Sequence, residues 1–321
     1  MRYLFIINPK AGKRDPREWI FQRFEAFFSE NRIPYQVRVT EYAGHATEIV
    51  REEAVPGEPI RVIAVGGDGT LREVACGAAG LPDVEVGVLP CGSGNDYLRI
   101  YGDKEDFLAP ERLVNGVAYS VDTIESDYLP ALNLCSVGID SQVAIDMVKY
   151  KNLPMVSGSM AYNIALIKAF LGKIGVQMKV TIDNGKQVFA GRYLLAIAAV
   201  GSYYGGGYCA APTAVVDDGL LEVLLVKVPK NRLQIPGLLS IYKKGEHIGH
   251  PKFKNLLTYV RAKNVMIESE RPAAVNSDGE CMERKETHFT VHSHAVRFII
   301  PEGIRPICLS SLTQANPVCV S

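Results

Sequence analysis

Residues 60–80, IRVIAVGGDGTLREVACGAAG, place three glycines and Asp68 between an apolar run and a helix-like segment. The β-branched, apolar run at 60–65 is typical of a strand buried on both faces. Thr70 and Glu73 have the spacing of a capping box, which predicts a helix that starts at Thr70. Backbone N–H groups at such a junction can face an anion, which the helix dipole favours. We interpret the stretch as a phosphate-binding turn; a tight turn without a ligand is the alternative.

Four further motifs follow predicted strands or mark tight turns. Each is compatible with a plain turn, but together they supply backbone amides, a lysine and several carboxylates, which phosphoryl transfer requires. The chain has no GxxxxGK[ST], no GxGxxG after its first strand and no GxSxG, which argues against a P-loop enzyme, a dinucleotide fingerprint and a serine hydrolase. The motifs are NPKAGK (8–13), LPCGSGNDYLR (89–99), APTAVVDDGLLEV (211–223) and SDGE (277–280).

Length and composition favour a globular protein of two domains. The chain has 321 residues, of which 47% are hydrophobic and 22% charged. Lysine plus arginine and aspartate plus glutamate both number 35, so charge gives no support to nucleic acid as a partner. Seven cysteines without a CxxC spacing, no secretory leader and no apolar run of membrane-spanning length favour a cytoplasmic location.

Two patterns of secondary structure divide the chain near Val121. Strands and helices alternate over residues 1–120, which predicts a parallel α/β sheet with ligands at the carboxyl ends of its strands. Residues 121–300 alternate apolar and polar positions around the hairpin signal Asn184-Gly185, which predicts an antiparallel β domain. Two helical inserts are expected at 159–173 and 233–247, and the tail 301–321 is expected to pack on the first domain.

Taken in order, NPKAG, GGDGT, LPxGS-x-ND, PxAxxDDGLL and DGE resemble the motifs of the diacylglycerol kinase catalytic family, which includes bacterial lipid kinases, sphingosine kinases and ceramide kinases. The resemblance covers roughly residues 3–300. GGDGT is shared with NAD kinases and 6-phosphofructokinases, whereas DDGLL with a later DGE is narrower. The resemblance implies a Rossmann-like, NAD-kinase-like nucleotide domain (1–120), a β-sandwich domain for the lipid substrate (121–300), and ATP in the cleft between them.

The resemblance also implies the site residues. Glu280 resembles the family's proton acceptor and Asp278 its partner, and we expect Asp68 to serve the nucleotide and its Mg²⁺. Asp218, with the carbonyl groups of Val215 and Leu220, resembles a structural Mg²⁺ site. The expected nucleotide contacts are Asn8, Gly12, Lys13, Thr40, Gly66, Gly67, Asp68, Gly69, Thr70, Glu73, Ser93, Asn95 and Asp96.

Two substitutions and one further motif qualify this assignment. Ser93 stands where the family usually has threonine and keeps the hydroxyl, and Tyr97 replaces the more usual phenylalanine. Asn133, Gly138 and Asp140 match another family pattern, whose role stays open.

The predicted function is that of an ATP-dependent lipid kinase, which transfers the γ-phosphoryl group to the hydroxyl of a membrane lipid. Diacylglycerol, which would give phosphatidic acid, is the favoured acceptor. An NAD kinase is one alternative, but it should lack the DDGLL and DGE pair. A non-catalytic nucleotide-binding regulator is another, and lost carboxylates would support it. The acceptor lipid, the nucleotide preference and the choice between a monomer and a homodimer stay open.

Contact with the membrane is expected to be peripheral, at its inner face, because the sequence has no anchor motif. The candidate surface combines apolar side chains with a basic cluster; a helix packed on the sandwich with a solvated basic end is the alternative. The residues of this surface are Leu238, Leu239, Ile241, Tyr242, Lys243, Lys244, Lys252 and Lys254.

Overall fold

The computed structural model describes residues 1–151, 168, 172, 174–305 and 309. Its amino-terminal part contains four parallel strands in the order β4-β3-β1-β2, so their carboxyl ends share one edge. The motifs that follow β1, β3 and β4 therefore meet at that edge. The elements are β1 (Arg2–Ile7), α1 (Phe21–Glu30), β2 (Tyr35–Val39), α2 (His45–Glu53), β3 (Ile60–Gly66), α3 (Asp68–Ala78), β4 (Val84–Pro90) and α4 (Pro110–Val114).

Helices cover both faces of this parallel sheet, which explains why its central strands are mainly apolar. Helices α2 and α3 pack on one face. On the other face, Phe21, Phe24 and Phe28 of α1 surround Phe5 of β1 at edge-to-face angles. Trp19, which the sequence placed within this aromatic helix, precedes it and is 47% exposed.

The capping box predicted at Thr70 and Glu73 is wrong. Helix α3 starts at Asp68, two residues earlier, and its N-cap Gly67 makes no side-chain capping bond. The Glu73 carboxylate instead accepts hydrogen bonds from Gly44 N (2.9 Å) and Ala46 N (3.3 Å), at the start of α2. Because α2 and α3 pack together, Glu73 accepts hydrogen bonds from the start of α2. The sequence pattern had predicted that it would cap its own helix, α3.

The carboxyl-terminal part is β-rich and mostly antiparallel, which confirms the predicted fold class of an α/β domain followed by a β domain. Strands β7 and β8 form the predicted hairpin, with Asp183 and Asn184 at φ +46° and +56° in the turn. The elements are β5 (Val117–Ser126), β6 (Leu134–Gly138), α5 (Ile139–Lys151), β7 (Val176–Ile182), β8 (Gln187–Ala199), β9 (Tyr203–Tyr204), β10 (Tyr208–Cys209), β11 (Leu221–Lys227), α6 (Ile235–Lys243), β12 (Leu257–Ala262), β13 (Asn264–Ser277) and β14 (Glu280–Ile300).

One long strand joins the two parts. Strand β14 has 21 residues and pairs antiparallel with β13 and β5, then parallel with β4 through Arg297 and Phe298. The domain boundary near Val121 falls inside β5 and stays a prediction.

The first residues of the tail contact the amino-terminal part. Glu302 N donates to Arg112 O (2.9 Å), and Leu309 is fully buried in the core that α2 and α3 form. Most of the tail, and all of the helical insert at 159–173 except 168 and 172, lie outside the described residues.

Candidate active site

A groove lined by glycines and several polar side chains lies at the carboxyl edge of the parallel sheet, with a volume of about 670 Å³. We call it the glycine groove. Seven of its lining residues are predicted nucleotide contacts: Asn8, Gly12, Lys13, Gly67, Gly69, Thr70 and Ser93. Ala11, Arg14, Trp19, Cys91 and Gly92 complete the lining. Because the first N–H groups of α3 have no partner within the helix, the groove suits an anion such as a phosphate chain.

Two of the glycines are required by close backbone contact. A Cβ on Gly92 would lie 2.7 Å from the Cα of Gly67, so the two loops touch through their backbones. Gly12 has φ +79°, and a Cβ there would lie 2.5 Å from the carbonyl oxygen of Cys91. By contrast, a Cβ on Gly69 would have no neighbour within 4 Å, which leaves space above the start of α3 for a ligand.

Four other predicted nucleotide contacts, Thr40, Gly66, Glu73 and Asn95, shape the edge without lining the groove. Thr40 N donates to Ile7 O (2.9 Å) as β2 ends. Asn95 has φ +49°, and its Nδ2 donates to Gly92 O (2.8 Å), which holds the second glycine loop. Glu73 accepts a hydrogen bond from Gly44 N at the start of α2. A side chain on Gly66 would collide with Thr70.

An apolar cavity of about 480 Å³ lies on the other side of Asp68. We call it the apolar cavity. Strands β8 and β11 and helix α6 supply much of its wall, through Leu194, Leu195, Val226, Leu238, Leu239 and Tyr242. Asp68, Asp96, Asp140 and Asp278 also line it, so four acidic residues border a mainly apolar space.

Asp68 lies where the two cavities meet. Its neighbours Gly67 and Gly69 line the glycine groove, whereas Asp68 itself lines the apolar cavity. A Cβ on Gly94 would lie 2.8 Å from Asp68 Oδ2 and 3.6 Å from Asp96 Oδ2, so the two carboxylates converge. Burial, followed by the nearby Asp96 charge, raises the pKa of Asp68. Converging carboxylates are of the type that binds the cation of a nucleotide, but Asp96 Oδ1 already pairs with Arg99 (3.0 Å) and its Oδ2 accepts from Gly206 N (2.7 Å).

Asp278 is held by backbone groups. It occupies the tip of the β13–β14 hairpin at φ +45°. Its Oδ2 accepts from Leu132 N (2.6 Å) and Asn133 N (3.2 Å), and its Oδ1 accepts from Leu134 N (2.9 Å). Burial raises the pKa of Asp278 to about 6, against the opposing effect of these hydrogen bonds. Asp278 therefore fixes the entry of β6 beside the apolar cavity.

Glu280 lines neither cavity. Its side chain is 58% exposed, and its Oε1 lies 3.8 Å from the guanidinium of the buried Arg72. The structure thus brings Asp68 and Asp278 to one cavity and leaves Glu280 at the surface.

The predicted structural Mg²⁺ site contains a protein cation. Asp218 Oδ1 accepts from Leu220 N (3.0 Å), and its Oδ2 forms a short ion pair with Arg261. Arg261 also lies 3.1 Å from Glu222. Among the described residues, no cluster of three or more His, Cys, Asp or Glu side chains is arranged for a metal. Because Arg261 already neutralises Asp218, these residues do not fit a metal as they stand.

Arg14 and Trp19 are groove residues that the motif analysis missed. Arg14 directly follows the NPKAGK motif, and its charge next to Lys13 is the signal that could have identified it. Trp19 gave no such signal, because its spacing suggested the buried face of α1.

Comparison with known proteins identifies the family. Residues 2–126 match the Diacylglycerol kinase catalytic domain family, and residues 133–300 match the YegS C-terminal NAD kinase beta sandwich-like domain family. The chain belongs to the diacylglycerol kinase catalytic family. It is 31% identical to a probable lipid kinase YegS-like protein of Pseudomonas aeruginosa, over 94% of this chain and 95% of that protein. It is 26% identical to a diacylglycerol kinase of Bacillus subtilis, over 87% of this chain and 89% of that protein.

A solved structure has the same fold. A diacylglycerol kinase structure from Bacillus anthracis str. Sterne is 22% identical, with a TM-score of 0.66, over 96% of this chain and 98% of that one. The family makes this chain a lipid kinase, a class of enzyme that uses ATP and a lipid substrate. Within the described residues, no helix has the length and apolarity needed to span a membrane.

Proposed function

We propose that the chain transfers the γ-phosphoryl group of ATP to the free hydroxyl of diacylglycerol and produces phosphatidic acid. The observation that supports this most is the position of Asp68 between the glycine groove and the apolar cavity. A phosphate chain in the groove and a lipid in the cavity would meet at this residue. The cavity's apolar walls suit acyl chains better than a second nucleotide, which favours a lipid over NAD as the acceptor.

The glycine groove would hold the triphosphate. The start of α3 and the loop at 92–94 offer backbone N–H groups, and Lys13 and Arg14 offer positive charge. An Mg²⁺ ion bound with the nucleotide would neutralise charge on the phosphates. Asp68 is the residue that we propose to hold it; Asp96, whose Oδ1 pairs with Arg99 (3.0 Å) and whose Oδ2 accepts from Gly206 N (2.7 Å), would join it only if Arg99 moved away.

Asp68 is our preferred proton acceptor for the lipid hydroxyl. It lines the cavity in which the hydroxyl would lie and accepts a long hydrogen bond at Oδ1, from Tyr97 N (3.4 Å), whereas both oxygens of Asp278 accept shorter bonds from backbone N–H groups. Glu280, the candidate from sequence, could act only if the hairpin tip or the substrate brought it to the cavity. A base must lie within hydrogen-bond reach of its proton, which favours Asp68.

The proposal also covers the domain division, the contact with the membrane, a second Mg²⁺ site and the oligomeric state. We propose a nucleotide domain at 1–120 and a lipid domain at 121–300, with the tail 301–321 packed on the first, and peripheral contact with the inner face of the membrane. The Mg²⁺ site at Val215, Asp218 and Leu220 is retained only as a proposal that requires Arg261 to move away. A homodimer is compatible with all of this but is not required by it.

The direct test measures transfer of radiolabelled phosphate from ATP into lipids in mixed micelles. The panel contains diacylglycerol, monoacylglycerol, ceramide and a sphingoid base, with NAD as a soluble acceptor. We expect diacylglycerol to have the highest kcat/KM. Preferred transfer to NAD or to a sphingoid base would refute the proposed acceptor, and no transfer to any of them would favour a nucleotide-binding regulator.

A further inference from the structure

The apolar cavity has two ends, which lie at the two ends of β6. At the first, Asp278 accepts from the N–H of Leu134, the first residue of β6 (2.9 Å). At the second lies Lys227, because its neighbour Val226 and the last residue of β6, Gly138, pair with the same residue of β8. Asp278 and Lys227 both line the cavity. Since β6 has five residues, the two ends are about 14 Å apart.

The carboxylates of the proposed reaction lie at the first end, which we call the acidic end. Asp96 converges with Asp68 and accepts from Gly206 N (2.7 Å) in the β9–β10 hairpin. Asn133, directly before β6, donates its side-chain amide to the same hairpin (2.6 Å). An anionic lipid surface would be repelled from an end that Asp68, Asp96 and Asp278 border.

The second end, which we call the basic end, belongs to a segment without acidic residues. Residues 223–245 contain five lysines and arginines and no aspartate or glutamate, a formal charge of +5, in a chain whose net charge is zero. The five basic residues are all exposed: Lys227, Lys230, Arg232, Lys243 and Lys244. Such a local excess of positive charge attracts an anionic bilayer.

An exposed apolar side chain accompanies this charge. Leu233 is 86% exposed, more than any other large apolar residue that the structure describes. It lies in the turn at Arg232–Gln234, between Pro229 and Ile235, which both line the cavity. Lys227 is exposed and lines the cavity as well, so the cavity reaches the surface next to this turn. Apolar residues among lysines and arginines are typical of surfaces that lie in the headgroup region of a membrane.

Resting on the proposed function, we propose that residues 227–235, the docking segment, bind an anionic lipid bilayer and that the lipid enters the cavity from the bilayer through the basic end. In a bilayer the hydroxyl of diacylglycerol points to the surface and its acyl chains point inward. Entry through the basic end therefore brings the hydroxyl first, about 14 Å along β6 to Asp68, while the acyl chains follow through apolar surroundings. Entry through the acidic end would instead carry the acyl chains past three carboxylates.

Fluorescence tests the docking segment, because Trp19 is the only tryptophan of the chain. In a Trp19→Phe background, Leu233→Trp places the single tryptophan on the docking segment, and Val117→Trp places it at another exposed residue, in β5. Vesicles of phosphatidylcholine and phosphatidylglycerol with brominated acyl chains should quench the emission of Leu233→Trp and shift it to shorter wavelength. The emission of Val117→Trp should show neither change.

Kinetics test the same segment in a chain that keeps Trp19. Lys230→Glu combined with Leu233→Ser should raise KM for long-chain diacylglycerol in anionic vesicles at least about tenfold, since one lysine near the surface contributes about fivefold by itself. Neither residue lines the cavity, so kcat/KM for monomeric dioctanoylglycerol, which needs no bilayer, should be unchanged. The control is Lys104→Glu combined with Val117→Ser, which makes the same kinds of change at exposed residues outside the segment.

A third variant tests the direction of entry. Leu194 lines the cavity at the basic end, next to the residue of β8 that pairs with Lys227. Leu194→Trp should narrow this end and lower kcat/KM equally for dioctanoylglycerol and dioleoylglycerol in the same vesicles, because the hydroxyl of either lipid would have to pass it. Its vesicle binding should match that of the wild type. A loss restricted to the longer lipid would mean that acyl chains reach this end from the acidic one, and would overturn the proposed direction.

The outcomes are distinct. No quenching of Leu233→Trp, equal quenching of Val117→Trp, or an equal increase of KM in the control pair would overturn the docking segment and leave the proposed kinase function intact. Quenching that does not require phosphatidylglycerol would also overturn it, because the charge of the segment would then have no role. If the wild type phosphorylates neither lipid, the proposed acceptor is wrong, and the quenching experiment still decides where the protein meets the bilayer.

Discussion

The glycine groove and the apolar cavity meet at Asp68 but are built in different ways. The groove is made of backbone from three short loops, each of which follows a parallel strand, and its glycines are fixed by close contacts such as that between Gly67 and Gly92. The cavity is made of side chains from strands and helices distant in sequence. A backbone groove tolerates few changes at its glycines, whereas a side-chain cavity can change its selectivity one residue at a time.

The largest effect should come from the residue that the two regions share. Asp68→Asn removes the proposed proton acceptor and should lower kcat by at least about a hundredfold. The measurement is phosphate transfer to diacylglycerol, with calorimetric binding of ATP in the absence of Mg²⁺ to show that the groove is intact.

Glu280→Gln is the matched control for Asp68→Asn, and we expect a loss of less than about tenfold, because this exposed carboxylate lines neither region. If Glu280→Gln is the variant that loses a hundredfold, the base is Glu280 and the sequence-based assignment was the better one.

Asp278→Asn should lower the stability of the protein by disturbing the start of β6, next to the apolar cavity. An amide NH₂ would face a backbone N–H that now donates to a carboxylate oxygen, and each buried donor left unsatisfied costs about 1–3 kcal/mol. The free energy of unfolding, from urea titrations at neutral pH, should fall by at least that amount. An unchanged value would mean that the three N–H contacts of Asp278 contribute little to folding.

Gly92→Ala should damage only the groove. The added methyl group would meet Gly67, and overpacking of about 1–3 kcal/mol should raise KM for ATP roughly tenfold. The KM for the lipid should change much less. Gly237→Ala, at an exposed position of α6 with no neighbour within 4 Å, is the control and should leave KM for ATP unchanged. Equal effects of Gly92→Ala on both substrates would contradict the separation of the two regions.

The pH profile tests the coupling of Asp68 and Asp96. A proton acceptor must be ionised, so kcat should fall as the pH decreases through the raised pKa of Asp68. Asp96→Asn removes a neighbouring negative charge and should move this acidic limb to lower pH. Asp106→Asn, which changes a carboxylate paired with Arg112, should not move it. A limb that stays in place in Asp96→Asn would argue against Asp68 as the titrating group.

The smallest effect concerns the membrane face. Leu238 and Tyr242 of the predicted surface are buried and line the cavity. Leu233, just before the start of α6, is 86% exposed, and Lys243 and Lys244 are exposed at the other end of this helix. Lys244→Ala should weaken binding to anionic vesicles about fivefold, since each such lysine contributes about 1 kcal/mol.

Leu233→Ser should weaken the same vesicle binding, because it removes an apolar side chain from the proposed contact. Val188→Ser, at another exposed apolar residue, is the control. Unchanged vesicle binding in both Leu233→Ser and Lys244→Ala would place the membrane contact elsewhere.

The sequence by itself determined the fold class and the position of the glycine groove. Parallel strands bring their carboxyl ends to one edge, so motifs such as NPKAGK and GGDGT had to meet there, and local glycine patterns are sufficient to recognise backbone loops. Only the tertiary structure decided how side chains were used. Glu73 caps α2 instead of α3, Arg261 neutralises Asp218, and Asp278 is tied to the start of β6. Each of these interactions joins residues more than 25 positions apart in the sequence, so no local sequence pattern predicts it. The apolar cavity depends on the packing of β8, β11 and α6, and such packing has no signature in spacing or composition.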